Sequence, residues 1–244
     1  MKVTNIDILL SILSSLACLS FSLVVARFAH ELLYLPHGFQ AFYLIFVFMV
    51  AFIAITLLLL YGLRLFCPLR EGNYILKSDT HSLVWKLLGY FYVAHLWPLI
   101  NANLVPVNVR AVAYRLLGAK IGRGVMIGGK VLEPSLVEIG DYSMLGEDSI
   151  LTAHTVVGNK VDLGKIVVGR DVTIGGTAVI LPDVHIGDSA IVAPGAVVKK
   201  GTRIGPGEIW GGVPARKIGV IGERGREGGM ERQRDGEMER GGER

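Results

Sequence analysis

The chain has 244 residues, of which 51% are hydrophobic and 19% are charged, and its net charge is +4 at neutral pH. The pI of about 9.1 is only weak evidence for a nucleic-acid partner, because acids and bases nearly cancel in the Arg-rich residues 222–244 and this segment is therefore not a basic arm. Two cysteines are too few for the disulfide framework of a small secreted domain. The hydrophobic residues are concentrated at the N-terminus, which points to a membrane-associated protein.

Two long apolar segments begin the chain, at residues 6–26 and 42–63. Each has about twenty residues, enough for a helix to cross a hydrocarbon core of roughly 30 Å. Between them, residues 27–40 contain the helix breakers Pro36 and Gly38. This pattern predicts a two-helix transmembrane anchor within residues 1–66. A cleaved signal peptide is the alternative, but only Lys2 precedes the first segment and no small-residue cleavage site follows it.

Positive charges flank the predicted hairpin unevenly. Lys2 precedes the first segment, whereas Arg27 in the connecting segment is offset by Glu31. Four cations follow the second segment: Arg64, Arg70, Lys77 and Lys86. Because cytoplasmic flanks carry the excess of Lys and Arg, we predict a two-pass protein of the cytoplasmic membrane with both ends in the cytoplasm.

Residues 67–116 form a connector. Asp79 or Thr80 is a suitable N-cap for a helix that runs to about Leu96 and ends before Pro98. This helix carries four aromatic residues of the types that favour a membrane interface: Trp85, Tyr90, Tyr92 and Trp97. Two interpretations stay open, a core helix and a helix that lies on the membrane surface.

A second, shorter helix is predicted from Val107 to Leu117. Val109, Val112 and Leu116 fall on one face of this helix. We expect that face to cover the beginning of the next domain, because the open end of a repeat structure exposes strand edges.

An aliphatic residue recurs every six positions from residue 121 to about residue 218, usually followed by glycine. The aliphatic-glycine pairs are Ile121-Gly122, Ile127-Gly128, Ile139-Gly140, Leu145-Gly146, Val168-Gly169, Ile174-Gly175, Ile186-Gly187 and Ile204-Gly205. A hexapeptide period predicts a parallel β-helix, with about eighteen residues in each three-sided coil. We expect the aliphatic residue to point inward, the glycine to turn the corner, and a second small residue three positions later also to point inward. The predicted domain spans residues 117–221.

Two segments of this domain carry a family resemblance. Residues 173–200, TIGGTAVILPDVHIGDSAIVAPGAVVKK, and residues 211–216, GGVPAR, are similar to the matching parts of galactoside, maltose and serine acetyltransferases. The chain therefore resembles the hexapeptide-repeat acyltransferases over a little under half of its length. This resemblance implies a left-handed parallel β-helix, a homotrimer with sites between subunits, and acetyl-CoA as the donor. A CoA donor in turn implies a catalytic domain on the cytoplasmic side.

The hexapeptide period is interrupted between Leu151 and Val168, and it resumes one residue out of step. Stacked coils accommodate such a slip as a loop, and loops on rigid scaffolds often carry function. His154 stands where the period is lost. Acyl transfer from a thioester needs a base, and imidazole titrates near neutral pH. The resemblance implies that His154 is this base; a solvent-exposed loop histidine is the alternative.

A catalytic base needs a group that orients it. Five carboxylates precede His154 within the predicted coils: Glu133, Glu138, Asp141, Glu147 and Asp148. The sequence does not choose among them.

The donor site rests on the resemblance. It implies coenzyme A binding by five residues: Gly176, Pro194, Lys199, Lys200 and Arg216. Their chemistry is suitable, because small residues let an extended pantetheine arm lie close to the coils and cations face its phosphates.

We therefore predict a membrane-anchored O-acetyltransferase that moves an acetyl group from acetyl-CoA to a hydroxyl of a sugar or a lipid-linked glycan, without a metal. A non-catalytic trimeric scaffold is one alternative. A gamma-class carbonic anhydrase is another, but it needs three histidine ligands, and the predicted β-helix contains only His154 and His185. Residues 222–244, rich in Gly, Glu and Arg, are predicted to be disordered.

Overall fold

The computed structural model describes residues 4–32, 37–76, 78–101 and 104–222. Part of the segment between the two apolar helices, the cations Lys2 and Lys77, and residues 223–244 of the predicted disordered tail lie outside the described residues.

The chain divides into two compact units that do not follow the chain order strictly. Two short segments from the repeat region make most of their contacts with the N-terminal part of the chain and therefore belong to the first unit. The first unit comprises the residues up to Lys120 with Leu132–Leu136 and Ala153–Gly164, and the second comprises Ile121–Val131, Val137–Thr152 and the residues from Lys165 onward.

The first unit begins with two long helices, α1 (Asn5–Leu32) and α2 (His37–Phe66). Large apolar side chains cover their outer surfaces, and Phe28 and Phe46 are 63% and 67% exposed. By length and composition three helical segments could cross a membrane: Asn5–Leu32, Phe39–Phe66 and Thr80–Ile100. The sequence predicts only the first two as spans, so the number of passes stays a prediction.

The third apolar segment continues further than its sequence indicates. α3 (Thr80–Phe91) runs into one π-helical turn at Tyr92–Leu96, and α4 (Trp97–Asn101) follows directly. The prediction that the helix ends before Pro98 is therefore wrong. A proline in a helix lacks one N–H donor, and its ring crowds the carbonyl four residues earlier. The wider π turn leaves room at that carbonyl, which accounts for the tolerance of Pro98.

Polar side chains connect these helices within the first unit. Lys86 Nζ lies 2.8 Å from Asp7 Oδ2, and both side chains are 7% exposed. Lys86 also donates to the carbonyl of Leu76 at 2.6 Å. Trp85 and Tyr92 are only 6% and 3% exposed. For these two aromatic residues, burial favours the core interpretation over the interfacial one.

The next helix, α5 (Val107–Leu116), has nearly its predicted bounds, but the prediction of its buried face is wrong. The residues of the predicted face are between 44% and 59% exposed: Val109, Val112 and Leu116. Arg110 and Tyr114 are buried instead. Arg110 Nε donates to a main-chain carbonyl at 3.2 Å, and the hydroxyls of Tyr114 and Tyr92 are 3.2 Å apart. Because buried polar groups are stable only with such partners, these bonds decide which face turns inward.

The second unit is a parallel β-helix of short strands in three stacks. The first stack contains β2 (Lys120–Ile121), β5 (Val137–Ile139), β10 (Ile166–Val168), β13 (His185–Ile186) and β16 (Arg203–Ile204). The second contains β3 (Met126–Ile127), β6 (Met144–Leu145), β11 (Thr173–Ile174), β14 (Ile191–Val192), β17 (Glu208–Gly211) and the antiparallel β18 (Arg216–Val220). The third contains β4 (Lys130–Val131), β7 (Ile150–Leu151), β12 (Val179–Ile180) and β15 (Val197–Val198).

Equivalent aliphatic residues stack in register from coil to coil. Val168 pairs with Ile139 on one side and with Ile186 on the other, and none of the three is more than 3% exposed. Ala178 and Ala190, at the second small position, are completely buried. Both predicted inward positions are confirmed.

The glycines after the aliphatic residues act differently from the prediction. Left-handed backbone occurs two residues later, for example at Tyr142 and Asp171, whose φ angles are 61° and 53°. Close stacking requires the glycines instead, because a Cβ on Gly140 would lie 2.6 Å from the carbonyl carbon of Gly169 in the next coil. The corner is therefore turned by other residues, and glycine is needed where two coils approach.

The chain leaves the β-helix twice, not once as the period predicts. The shorter departure, Leu132–Leu136, does not shift the hexapeptide period that follows it. Val131 pairs in register with Leu151 although it stands only four residues after Ile127. A regular coil would place the inward residue six positions after Ile127, so the coil is two residues short at Val131. The extra residues of the departure make up this difference, and Ile139 stands eighteen residues after Ile121, as in a regular coil. The hexapeptide period after the departure is therefore unshifted.

The second departure is an ordered hairpin, not an irregular loop. It consists of β8 (His154–Val157) and β9 (Lys160–Leu163), and β9 also pairs antiparallel with β1 (Gly72–Ile75) from the connector. Val161 and Leu163 are at most 2% exposed. This three-stranded sheet belongs to the first unit and holds the start of β8 in place.

Candidate active site

His154 is the first residue of β8, and its main chain is held by the sheet. It pairs with Leu163 across the hairpin, and the preceding Ala153 is completely buried. The His154 side chain is 26% exposed. The imidazole is thus accessible to a small molecule while its backbone is fixed, which is what a catalytic base requires.

One carboxylate holds the imidazole. Glu133 Oε1 lies 2.6 Å from His154 Nδ1, and the Glu133 side chain is 8% exposed. The other oxygen, Oε2, accepts the backbone N–H of Ala153 at 3.0 Å. Trp85 Nε1–H donates to Oε1 at 3.1 Å. Three hydrogen bonds therefore fix this buried carboxylate, and charge-assisted bonds of this kind are strong.

Trp85 also limits the rotation of the imidazole. The ring centroids of Trp85 and His154 are 5.0 Å apart, with the planes tilted by 58°. Sequence reasoning did not identify Trp85 as a site residue, because an aromatic residue on an apolar helix has no distinguishing pattern. Its role follows only from the contacts that it makes.

Among the five candidate carboxylates, the structure singles out Glu133. The others lie in the second unit, where Glu138 pairs with Lys165 at 2.9 Å and Asp148 pairs with Lys130 at 3.3 Å. A sequence signal for Glu133 existed. Position 133 falls six residues after Ile127 and six before Ile139, where the period expects an aliphatic residue. A charged residue at such a position indicates a departure from the coil.

This geometry sets the chemistry of His154. A neutral imidazole that donates from Nδ1 to a carboxylate carries its lone pair on Nε2. Nε2 can then accept a proton, and Glu133 stabilises the imidazolium that forms. The arrangement is that of a general base with an orienting carboxylate.

In the second unit, two of the predicted donor-binding cations share a pocket. Lys199 and Arg216 line a space of about 370 Å³ together with Trp210, Pro214 and Lys217. Clustered ammonium and guanidinium groups bind phosphate oxygens, and an indole ring can pack against a nucleotide base. The pocket therefore has the composition expected for a phosphate-bearing nucleotide.

The other predicted donor residues belong to the same unit but not to the described lining of this pocket. Gly176 and Pro194 lie in successive coils, since the Gly195 N–H donates to the Gly176 carbonyl at 2.9 Å. Lys200 directly follows Lys199 and is exposed. The structure thus brings Lys199 and Arg216 together, and the binding role of all five residues stays a prediction.

Glu208 orders the wall of this pocket. It accepts the Trp210 indole N–H at 2.8 Å and the Gly205 backbone N–H at 2.8 Å, and it pairs with Lys217 at 2.9 Å. These contacts, the Trp210 hydrogen bond first, lower the pKa of Glu208 to about 2. The carboxylate is therefore ionised at neutral pH and ties β17 to β18.

Within residues 4–32, 37–76, 78–101 and 104–222, no three His, Cys, Asp or Glu side chains form a group suited to a metal ion. The described part of the chain therefore offers acid-base and anion-binding groups, with no ready set of metal ligands.

A protein-family model described as bacterial transferase hexapeptide (six repeats) matches residues 165–200. This match confirms the resemblance to the hexapeptide-repeat family that residues 173–200 indicate. Among curated proteins, a delta-poly-L-ornithine synthetase of Acinetobacter baumannii (strain AB307-0294) is 28% identical over 153 residues, which is 62% of this chain and 11% of that protein. The chain thus spans about a tenth of this relative.

Solved structures of similar proteins include three acetyltransferases. A maltose O-acetyltransferase from Clostridium difficile 630 is 24% identical, over 64% of this chain and 95% of that chain, with a TM-score of 0.46. A hexapeptide-repeat acetyltransferase from Vibrio cholerae O1 biovar eltor, complexed with acetyl-CoA, is 26% identical over 43% of this chain and 62% of that chain, with a TM-score of 0.40. A galactoside acetyltransferase in complex with coenzyme A is 28% identical over 43% of this chain and 56% of that chain, with a TM-score of 0.38.

Proposed function

We propose that this chain, which carries the hexapeptide repeat of bacterial transferases, is an acyltransferase that uses an acyl-CoA donor. Acetyl-CoA is the donor that we favour, and the acceptor is a hydroxyl of a sugar or of a lipid-linked glycan. The observation that carries the proposal is the 2.6 Å contact between Glu133 and His154 in a chain with this repeat. An oriented imidazole is what transfer from a thioester to a hydroxyl requires.

In the proposed reaction, His154 Nε2 takes the proton of the acceptor hydroxyl as its oxygen attacks the thioester carbonyl. The carbonyl oxygen becomes an oxyanion, which backbone N–H groups stabilise. The tetrahedral intermediate collapses with cleavage of the carbon–sulfur bond. The departing thiolate of coenzyme A takes the proton from the imidazolium, and His154 returns to its starting state with the ester formed. Glu133 stabilises the imidazolium throughout.

The pocket around Lys199 and Arg216 supports the donor half of the proposal. A nucleotide that carries phosphates needs cations at a fixed site, and Arg and Lys offer complementary geometries. Gly176 and Pro194 would then lie along the pantetheine arm, and Lys200 would add a further positive charge. We place coenzyme A along the second unit on this basis.

The three apolar helical segments support attachment to a membrane. We propose that the first two of them, Asn5–Leu32 and Phe39–Phe66, anchor the enzyme as a two-pass hairpin, with its catalytic residues on the cytoplasmic side, where acyl-CoA is found. Membrane attachment raises the local concentration of a lipid-linked acceptor. We also propose the left-handed coil and the homotrimer that the family resemblance implies.

The direct test replaces His154 with Ala in the full-length chain in detergent and measures release of coenzyme A from acetyl-CoA with a panel of sugar acceptors. Loss of a general base should lower the rate by a factor of roughly 10² to 10⁴. His185→Ala is the matched control, because His185 lies in β13 of the second unit. The proposal is wrong if both variants keep full activity. If the folded wild-type chain shows no turnover and acetyl-CoA does not raise its melting temperature, a non-catalytic scaffold is favoured instead.

The curated relative favours a second acceptor class. Poly-ornithine is joined by amide bonds, so the name of that synthetase suggests an amine as the acceptor. His154 could remove a proton from an attacking amine by the same chemistry. Including ornithine beside the sugars in the acceptor panel distinguishes the two, because only the true acceptor class should accelerate release of coenzyme A above hydrolysis.

A further inference from the structure

The three-stranded sheet of the first unit has a buried face and an outer face. In β9, Val161 and Leu163 are 0% and 2% exposed, whereas Lys160 is exposed. Successive residues of a strand point to opposite faces, so Lys160 and Asp162 belong to the outer face. Residues that are paired across two strands share a face, and the register therefore extends the outer face to β1 and β8.

Two exposed aliphatic residues flank Lys160 on this outer face. The register pairs Lys160 with Ile75 of β1 and with Val157 of β8. Ile75 and Val157 are 41% and 77% exposed. These three residues form a row across the sheet at the end where the hairpin turns, and we call it the tip row. A lysine between exposed aliphatic side chains is typical of a surface that meets lipid head groups.

The next row on the same face is polar. It consists of Asn73, Asp162 and Thr155, which are paired in the same register. Asn73 is exposed, and Asp162 and Thr155 are half-buried. The outer face therefore changes from apolar to polar within two residues along its strands. A bilayer surface changes from apolar to aqueous along one direction in the same way.

Hydrogen bonds tie the tip row to the beginning of α1. Leu76, the residue after Ile75, donates its N–H to the carbonyl of Asn159 in the hairpin turn at 2.8 Å. Lys86 donates to the Leu76 carbonyl at 2.6 Å and to Asp7 Oδ2 at 2.8 Å. Asp7 lies in the first turn of α1. The hairpin turn is thus connected to the end of a helix that is long and apolar enough to cross a membrane.

We propose that the tip row rests in the head-group layer of the membrane, with Ile75 and Val157 towards the acyl chains and Lys160 at the phosphates of anionic lipids. The sheet then stands on the bilayer surface beside the proposed anchor. His154 begins β8, three residues before Val157, which puts its Cα about 10 Å from the tip row. This height suits an acceptor that is attached to a lipid. That consequence rests on the proposed function, whereas the membrane contact does not.

Spin labels on single cysteines test the contact in the full-length chain, after Cys18 and Cys67 are replaced by Ala. The protein is placed in nanodiscs of phosphatidylcholine and phosphatidylglycerol, and collisions of each label with oxygen and with a polar nickel chelate are measured. Oxygen concentrates in the apolar layer and the chelate in water, so the ratio of the two collision rates reports depth. Val157→Cys is the test site, and Asn73→Cys, in the polar row of the same face, is its matched control.

At position 157 we expect roughly fivefold fewer collisions with the chelate than at position 73, because a polar solute is excluded from an apolar layer. Two further labels mark the ends of the scale. Leu16→Cys lies on the exposed surface of α1, and Arg170→Cys replaces a side chain that is 69% exposed in the second unit. The first label should collide mainly with oxygen and the second mainly with the chelate.

Lipid charge tests the role of Lys160. The label at position 157 should lie deeper in discs that contain phosphatidylglycerol than in discs of phosphatidylcholine alone, because an anionic surface attracts a nearby ammonium group. Lys160→Gln should abolish this dependence on lipid charge. Lys165→Gln is the control and should keep it, because Lys165 pairs with Glu138 in the second unit.

Four results would overturn the proposal. Equal collision ratios at positions 157 and 73 would show that the tip row is not in the membrane, and a label at 157 that is shielded from both oxygen and the chelate would show contact with a protein instead. A dependence on lipid charge that survives Lys160→Gln would remove the role of Lys160. A label at position 16 that is open to the chelate would remove the anchor and with it this contact. Because no measurement uses acyl transfer, all four stay decisive if the proposed function fails.

Discussion

In the second unit, each coil repeats the contacts of the coil before it, so that Val168 has one aliphatic neighbour below and another above in the same register. Among the described residues of the first unit, the contacts are individual and do not repeat: a buried ion pair joins Lys86 to Asp7, and the carboxylate of Glu133 holds His154. Repetition distributes stability over many equivalent backbone contacts. Unique buried polar contacts concentrate it in single pairs, and the proposed catalytic base belongs to this second kind of structure.

If single buried contacts stabilise the first unit, the largest loss of stability should follow from breaking the Lys86–Asp7 pair. Lys86→Met leaves a buried carboxylate without its cation, which should lower the stability of the first unit by about 3–5 kcal/mol. Arg203→Gln is the control in the second unit, where the pair with Asp183 is exposed, and such pairs contribute about 0–1 kcal/mol. Thermal unfolding in detergent measures both. Equal losses of stability in the two variants would contradict the distinction between the units. If the double variant Lys86→Met with Asp7→Asn recovers part of the stability, the loss in Lys86→Met comes from the unpaired carboxylate of Asp7.

The next effect concerns activity. Glu133→Gln keeps the size of the side chain but removes the charge that stabilises the imidazolium, so kcat should fall about 100-fold with little change in KM for the acyl donor. Glu138→Gln is the matched control, because Glu138 pairs with Lys165 in the second unit. Release of coenzyme A measures both variants. A fall of the same size in Glu138→Gln, or a change confined to KM, would remove the positioning role of Glu133.

Replacing a glycine by alanine should change the free energy of unfolding in opposite directions in the two units. A Cβ on Gly187 would lie 2.6 Å from the backbone nitrogen of Pro206 in the next coil, so Gly187→Ala should cost about 1–3 kcal/mol. A Cβ on Gly89 in α3 meets nothing within 4 Å, and Gly89→Ala should be neutral or stabilise by up to about 1 kcal/mol. Melting temperatures of the two variants check this, and a stable Gly187→Ala chain would show that the coils can separate to admit a methyl group.

The smallest effect tests a single side chain within the repeat unit. The pKa of Glu208 falls from 4.5 to about 2 on folding, so its ionised form stabilises the folded chain above about pH 4.5. That contribution is lost as the pH falls from 4.5 towards 2. At pH 7, Glu208→Gln should melt about 2–4 °C below the wild type, and the gap should close in acid. A gap that is the same at pH 7 and pH 3 would contradict the role of the carboxylate charge.

Prediction from sequence succeeded where the chain repeats and failed where a single contact decides. The inward positions of the coil follow from a period of six, and Val168, Ile186 and Ala190 are buried as expected. The departure at residues 132–136 was missed, because the hexapeptide period is in step again at Ile139 and only the charged Glu133, at a position where the period expects an aliphatic residue, marks it. The buried face of α5 was misassigned, because hydrogen bonds of Arg110 and Tyr114 outweigh the aliphatic pattern on its other side.

The sequence by itself determined the parallel β-helix, the apolar helices and His154 as the residue to test. These depend on local periodicity and residue type, which a linear sequence records directly. Only the tertiary structure decided that Glu133 is the carboxylate on His154 and that Trp85 contacts both. These two residues are 21 and 69 positions from His154 in the sequence. Contacts across such separations depend on how segments pack, and packing leaves no periodic signal in the chain.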